Sequence, residues 1–132
     1  MSGAAPVADG PRPGRTLLAV AAGGALGGAA RVAAGASSAA LAPALPAWAV
    51  LVAVNVLGCF VMGLVVARGR GRVDPLVTTG VLGGFTSFSG WVLDVVRLAE
   101  PAPALALLLL LAVPLASVAA CLVGLLAGGE RP

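Results

Sequence analysis

The sequence predicts an all-α membrane protein of four transmembrane helices. Three observations predict it: 60% of the 132 residues are apolar and only 10% charged, the charges fall in short stretches, and four long apolar segments lie between those stretches. A water-soluble core of one domain cannot hide that much apolar surface. Backbone groups in lipid must be satisfied internally, and none of the segments alternates in polarity as a barrel strand does, so helices are the spanning form.

Residues 1–14, rich in Gly, Pro and Ala and without periodicity, are expected as a disordered tail, and residues 15–129 as a single four-helix membrane domain. The spans are expected at about 16–36, 48–67, 75–96 and 104–126, each able to cross a hydrocarbon layer of roughly 30 Å. The first follows Arg12 and Arg15 in the manner of a signal peptide, but three more spans come after it, so it is read as a mature helix. The connection at residues 37–47 carries no charge, whereas residues 68–75 form a basic, glycine-punctuated turn closed by Pro75.

Four spans put both termini and the second connection on one side, with Arg12, Arg15, Arg68, Arg70, Arg72 and Arg131. Arg97, and Arg31 if it counts with its helix end, lie toward the other. The positive-inside rule then places both termini in the cytoplasm. In a membrane protein the net charge of +3 is read loop by loop and is no argument for nucleic acid. Cys59 and Cys121 fall inside spans, and with no His in the chain they have no metal-ligand spacing, so they read as small packing residues.

Polar residues inside the spans are expensive. Arg31 costs about 3 kcal/mol or more on insertion scales. It needs a partner, a water-filled vestibule, or a snorkelling route to the interface. Gly24, Gly27 and Gly28 share its helical face, which makes that face a close-packing surface. Asn55, mid-span with Gly58 and Met62 on its face, either faces a pore or makes an interhelical hydrogen bond. In the third span, Gly80, Gly83 and Gly84 run directly into Thr86, Ser87, Ser89 and Gly90, so a break is expected near residues 83–87, against the alternative of a glycine kink. Irregular backbone at membrane depth is tolerated where the freed carbonyls are buried or bind something.

Phe88, Trp91 and Asp94 follow at steps of three. Aromatics so spaced commonly pack, yet ring edges turned toward a pore favour an anion without a full charge. In the fourth span Pro114, Ser117, Cys121, Gly124 and Gly128 form one stripe of small and polar residues, the rest being mostly leucine for lipid. No nucleophile has a general base beside it and there is no phosphate-binding loop, so passive flow is expected rather than catalysis or ATP-driven pumping.

Three segments together resemble the CrcB/Fluc family of small fluoride channels: Gly23-Gly24-Ala25-Leu26-Gly27-Gly28-Ala29-Ala30-Arg31, Val54-Asn55-Val56-Leu57-Gly58, and Gly80-Val81-Leu82-Gly83-Gly84-Phe85-Thr86-Ser87-Phe88-Ser89. Their order and their placement in successive spans carry the resemblance. It implies an antiparallel dimer with two fluoride pores, each lined by both subunits, and a structural sodium ion at the dimer interface. Gly83 and Thr86 match the family's sodium-binding carbonyl donors. Asn55 matches the pore amide, Phe88 the first ring of an aromatic box, Ser89 the adjoining hydroxyl, Arg31 the vestibule arginine and Asp94 the acidic residue after the box, the last two being expected together in the vestibule. Ser117 is the choice for a polar track on the fourth helix. Trp91 departs from the pattern, which commonly has a second phenylalanine. Its larger edge and N–H donor leave three roles open: binding the anion, narrowing the path, or silencing one pore.

The resemblance also implies passive release of cytoplasmic fluoride across a bacterial plasma membrane. The arginine bias favours a single orientation, so an antiparallel dimer is expected to need an oppositely oriented paralogue. Two rivals are a small multidrug-type transporter, which needs a carboxylate that span one lacks, and a noncatalytic assembly subunit whose glycines serve only packing.

Overall fold

The computed structural model describes residues 13–69 and 73–129. Among them four helices are long and apolar enough to cross a membrane, Pro13–Leu41, Ala47–Arg68, Leu76–Leu98 and Pro103–Gly129, and there is no strand. The chain is therefore an all-α protein with four membrane-spanning helices. Residues 1–12 of the expected tail lie outside the described residues, as do Arg70, Arg72 and Arg131, while Pro13 and Gly14 already belong to the first helix.

We label the elements α1 (Pro13–Leu41), α2 (Ala47–Arg68), α3 (Leu76–Leu82, continued by Gly83–Phe85), α4 (Phe88–Leu98) and α5 (Pro103–Gly129). α1 is longer than expected, and the first connection shrinks accordingly: residues 37–41 stay helical and Ser38 returns its hydroxyl to Gly35 O at 2.8 Å. Asp74 and Pro75 start α3. The Asp74 carboxylate accepts from Leu76 N at 2.9 Å, and Pro75 supplies a preset φ where no N–H is needed. The first turns of α3 are π-helical, with Gly80 N donating to Pro75 O at 2.9 Å, five residues back.

The third span breaks at Thr86 (φ −77°, ψ 152°) and Ser87 (φ −147°, ψ 104°), both extended, so the expected interruption is a true break rather than a kink. Thr86 closes α3 by donating its hydroxyl to Leu82 O at 3.1 Å, and Ser87 opens α4 by accepting from Gly90 N at 3.1 Å. Hydroxyl residues can make both bonds locally, which is why this composition ends one helix and starts another.

Glycine decides which helices touch. α1 lies on α3, with buried Gly23 and Gly27 against the backbone of Leu76, Gly80 and Val81 and with Gly24 against Gly84. α2 lies on α5, where Gly63 faces Cys121 O and Leu125 N, and Gly124 faces Phe60 O and Leu64 N. A Cβ at Gly27 or Gly124 would overlap a carbonyl oxygen of the facing helix, so both contacts require the bare backbone. The α1 surface is narrower than expected, because a Cβ added at Gly24 or Gly28 would meet nothing within 4 Å. A side-chain cluster of Trp91, Val95, Ala106, Leu109 and Val113 joins α4 to α5, with Trp48, Leu51 and Val52 of α2 packed against it. Exposed leucines, among them Leu107, Leu108, Leu111, Leu115 and Leu126, cover the outer face of α5.

Gly124→Val should therefore cost about 1–3 kcal/mol through overpacking. Gly129→Val, where a side chain meets open space, should cost far less. Thermal unfolding in detergent reads the difference, and equal melting temperatures would show that α2 and α5 do not approach as closely as the glycines permit.

Candidate functional site

The break is held from outside by Asn55. This residue of α2 is 7% exposed; its Oδ1 accepts from Ser87 N at 2.7 Å and its Nδ2 donates to Ser87 O at 3.3 Å. A primary amide presents a donor and an acceptor side by side, so it supplies the acceptor that Ser87 N lacks and joins Trp91 N, 3.4 Å away, in donating to Ser87 O. Of the two readings open from sequence, the interhelical bond is made, and it uses the carbonyl and one of the two amide N–H groups.

This clamp has a consequence for the end of α3. Ser87 N would be the helical donor to Gly83 O, but it is turned to Asn55; Gly90 N would be the donor to Thr86 O, but it is turned to the Ser87 hydroxyl. Among the described residues no hydrogen bond reaches Gly83 O or Thr86 O. Gly83 is exposed and Thr86 half-buried, so one break leaves two backbone acceptors open near the protomer surface. On the other side of the break, Phe88 N and Ser89 N, the first amides of α4, have no acceptor among the described residues.

A groove of about 180 Å³ lies beside the break, lined by Asn55, Cys59, Thr86, Phe88, Trp91, Val113, Pro114 and Ser117. The Phe88 and Trp91 rings meet at a centroid distance of 5.2 Å, tilted by 53°. Trp91 is 4% exposed whereas Phe88 is 74% exposed, so the pair runs from the core to the outer surface. Pro114, inside α5, has no N–H to give to Leu110 O.

Arg31 and Asp94 line a second cavity, of about 230 Å³, with Gly35, Ser38, Leu51 and Val54. Arg31 is half-buried and its Nε donates to Gly84 O at 3.4 Å, so the guanidinium reaches the C-terminal end of α3, where helix carbonyls favour a cation. Asp94, which follows Phe88 and Trp91 at steps of three and is expected with Arg31 as a vestibule residue, opens into this cavity beside Arg31 and meets Arg97 at 3.4 Å. One further turn of α4 has carried it past the groove.

The sequence-chosen residues thus fall into three groups. Asn55, Phe88, Trp91, Ser117 and Thr86 share the groove; Arg31 and Asp94 share the cavity; Gly83 lines neither. Ser89 is exposed and is not part of the groove wall, because its step of one from Phe88 turns it about 100° around α4. Cys59, read from sequence as a small packing residue, lines the groove one helical turn after Asn55, and the capping role of Ser87 toward Gly90 N was not foreseen.

The sequence profile described as "CrcB-like protein, Camphor Resistance (CrcB)" matches residues 18–129, which include most of the first span, the other three spans and the residues of both cavities. The chain belongs to the CrcB family. The CrcB relatives it resembles include proteins named "Fluoride-specific ion channel FluC" from Paracoccus denitrificans and Cereibacter sphaeroides, 44% and 46% identical over 89 residues. Each of those matches spans 64% of this chain and 70% of the relative. A third, of the same name, from Rhizobium etli, is 45% identical over 96 residues, 67% of this chain and 75% of the relative.

Asn55→Leu should strand the Ser87 amide and cost about 1–3 kcal/mol, the usual penalty for a buried unsatisfied donor. An unchanged midpoint of thermal unfolding in detergent would mean that the break does not depend on this clamp.

Proposed function

We infer that this CrcB chain is a fluoride channel that lets the anion leave the cytoplasm down its gradient. The observation that carries the reading is the groove: it gathers donors of neutral charge at membrane depth, next to the only break in a span among the described residues. Fluoride is small and strongly hydrated, so a selective path replaces its water with closely placed donors that hold it weakly enough to release it. The free amide N–H of Asn55, the Ser117 hydroxyl and the electropositive ring edges of Phe88 and Trp91 are such donors. The names of the relatives support the same ion.

The assembly we propose is an antiparallel dimer with its twofold axis near the two breaks. Phe88 is a large ring left 74% exposed beside polar groups, which suits an interface rather than lipid. Gly83 O and Thr86 O, freed by the clamp, are hard oxygen donors; two copies of each fit a monovalent cation. That donor set supports sodium in the position which the family resemblance implies, where it would tie the two third helices together.

Both termini face the cytoplasm of the plasma membrane in this reading. Six arginines against at most two make one orientation dominant, which in turn calls for an oppositely oriented paralogue as partner. A multidrug-type transporter is disfavoured because α1 contains no carboxylate.

Liposomes carrying this chain, with an oppositely oriented paralogue where homodimers are silent, should release fluoride rapidly while retaining chloride. Phe88→Ala should slow that release while leaving unfolding nearly unchanged. Replacing sodium by a large organic cation should weaken the dimer on size-exclusion chromatography. Persistent absence of fluoride release removes the channel reading and leaves an assembly role.

Topology is tested separately, with reporters fused at the C-terminus. A single cytoplasmic population is expected; comparable amounts on both sides would remove the need for a paralogue.

A further inference from the structure

Gly58 ends the α2 motif whose Asn55 clamps the break, and it is buried three residues further along the same helical face. Its neighbour on α2, Gly63, is pressed by the backbone of Cys121 and Leu125, as a helix-packing glycine is. Gly58 is different, because a Cβ there would meet a side chain of the break: Thr86 Cγ2 at 2.5 Å, with Phe85 Cδ1 behind it at 3.3 Å.

The end of a flexible side chain would move aside, but this methyl cannot move alone. Cγ2 and Oγ1 leave the same carbon, a β-branched residue is stiff about χ1, and the Thr86 hydroxyl already donates to Leu82 O at 3.1 Å. Turning the methyl away would take the hydroxyl off Leu82 O. Keeping that bond would push the whole residue off α2 and draw Ser87 N from Asn55 Oδ1, now 2.7 Å apart.

We propose that Gly58 is a positioning residue, the socket that seats the Thr86 methyl on α2 and so fixes where the groove wall stands; this rests on the reading of the groove as a fluoride path. Asn55 holds the break through the backbone of Ser87, and Gly58 holds it through the apolar side of Thr86. One contact alone would leave the segment free to pivot about the amide; two, three residues apart on one helix, set its orientation. Thr86 and Asn55 line the groove whereas Gly58 does not, so position 58 acts on the path through Thr86.

The test is a double-mutant cycle in the assembly that passes the flux assay, read as fluoride release from liposomes and as the midpoint of thermal unfolding in detergent. With threonine at position 86, Gly58→Ala should slow release about tenfold or more, as small displacements of a binding wall do, and should lower the midpoint. In a Thr86→Ser chain, which keeps the hydroxyl and lacks the methyl, the same substitution should slow release less than about threefold and move the midpoint little. Gly63→Ala, which meets backbone, should cost the same in both chains.

Equal losses from Gly58→Ala in the two chains overturn the socket, as does a harmless Gly58→Ala in the parent. Relief of the midpoint without relief of release overturns the positioning role. Should Gly58→Ala fail to fold, recovery of folded protein by Thr86→Ser supports the socket and no recovery overturns it. If no assembly releases fluoride, the channel reading falls and the midpoints decide the socket by the same comparison.

Discussion

The structure depends on how one residue's backbone is satisfied in lipid. Ser87 lies outside any helix at a depth where water is scarce, and its N–H and C=O would each be costly if left bare. Asn55 meets both through one rigid amide, sharing the C=O with the backbone N–H of Trp91. That pairing fixes the break, and the break in turn frees Gly83 O and Thr86 O, separates α4 from α3, and brings Phe88 and Trp91 up to the groove. An asparagine in the middle of a span is thus a structural expense that makes an irregular, chemically useful segment possible.

Around this point the helices are held by backbone proximity more than by a side-chain core. No side chain among the described residues is sealed below 2% exposure. In lipid, apolar burial gives helices little reason to associate, and close van der Waals approach takes over. Glycines on α1, α2, α3 and α5 permit that approach in two pairs, α1 with α3 and α2 with α5. The break is set between the pairs, reached by Asn55 from one and by Arg31 from the other. Packing and site are therefore coupled: the Arg31 and Asn55 bonds both end on backbone that a shift of either pair would move.

Polar groups are sorted along the third span. Open carbonyls end α3 and open amides begin α4, so cation-favouring and anion-favouring backbone lie a few residues apart. A break in a helix produces this polarity without any ionised side chain, which suits a path that must bind a small ion and let it go.

The spans, their helical character, the break and part of the glycine faces were legible in the sequence, because lipid allows few backbone solutions and glycine, serine and threonine punctuate them in known ways. Motif resemblance brought Asn55, Phe88, Trp91 and Ser117 together on paper, and the groove does so in space. Only tertiary structure decided what each polar group is spent on. The Asn55 amide could have faced a pore or a helix, and the position of Ser87 across 32 residues of chain settled most of it. Asp94 shares a helical face with Trp91 but opens into the Arg31 cavity, and Ser89 is turned out of the groove. The reason is physical: periodicity assigns a residue to one side of its own helix, whereas hydrogen-bond partners and cavities are set by how separate helices cross.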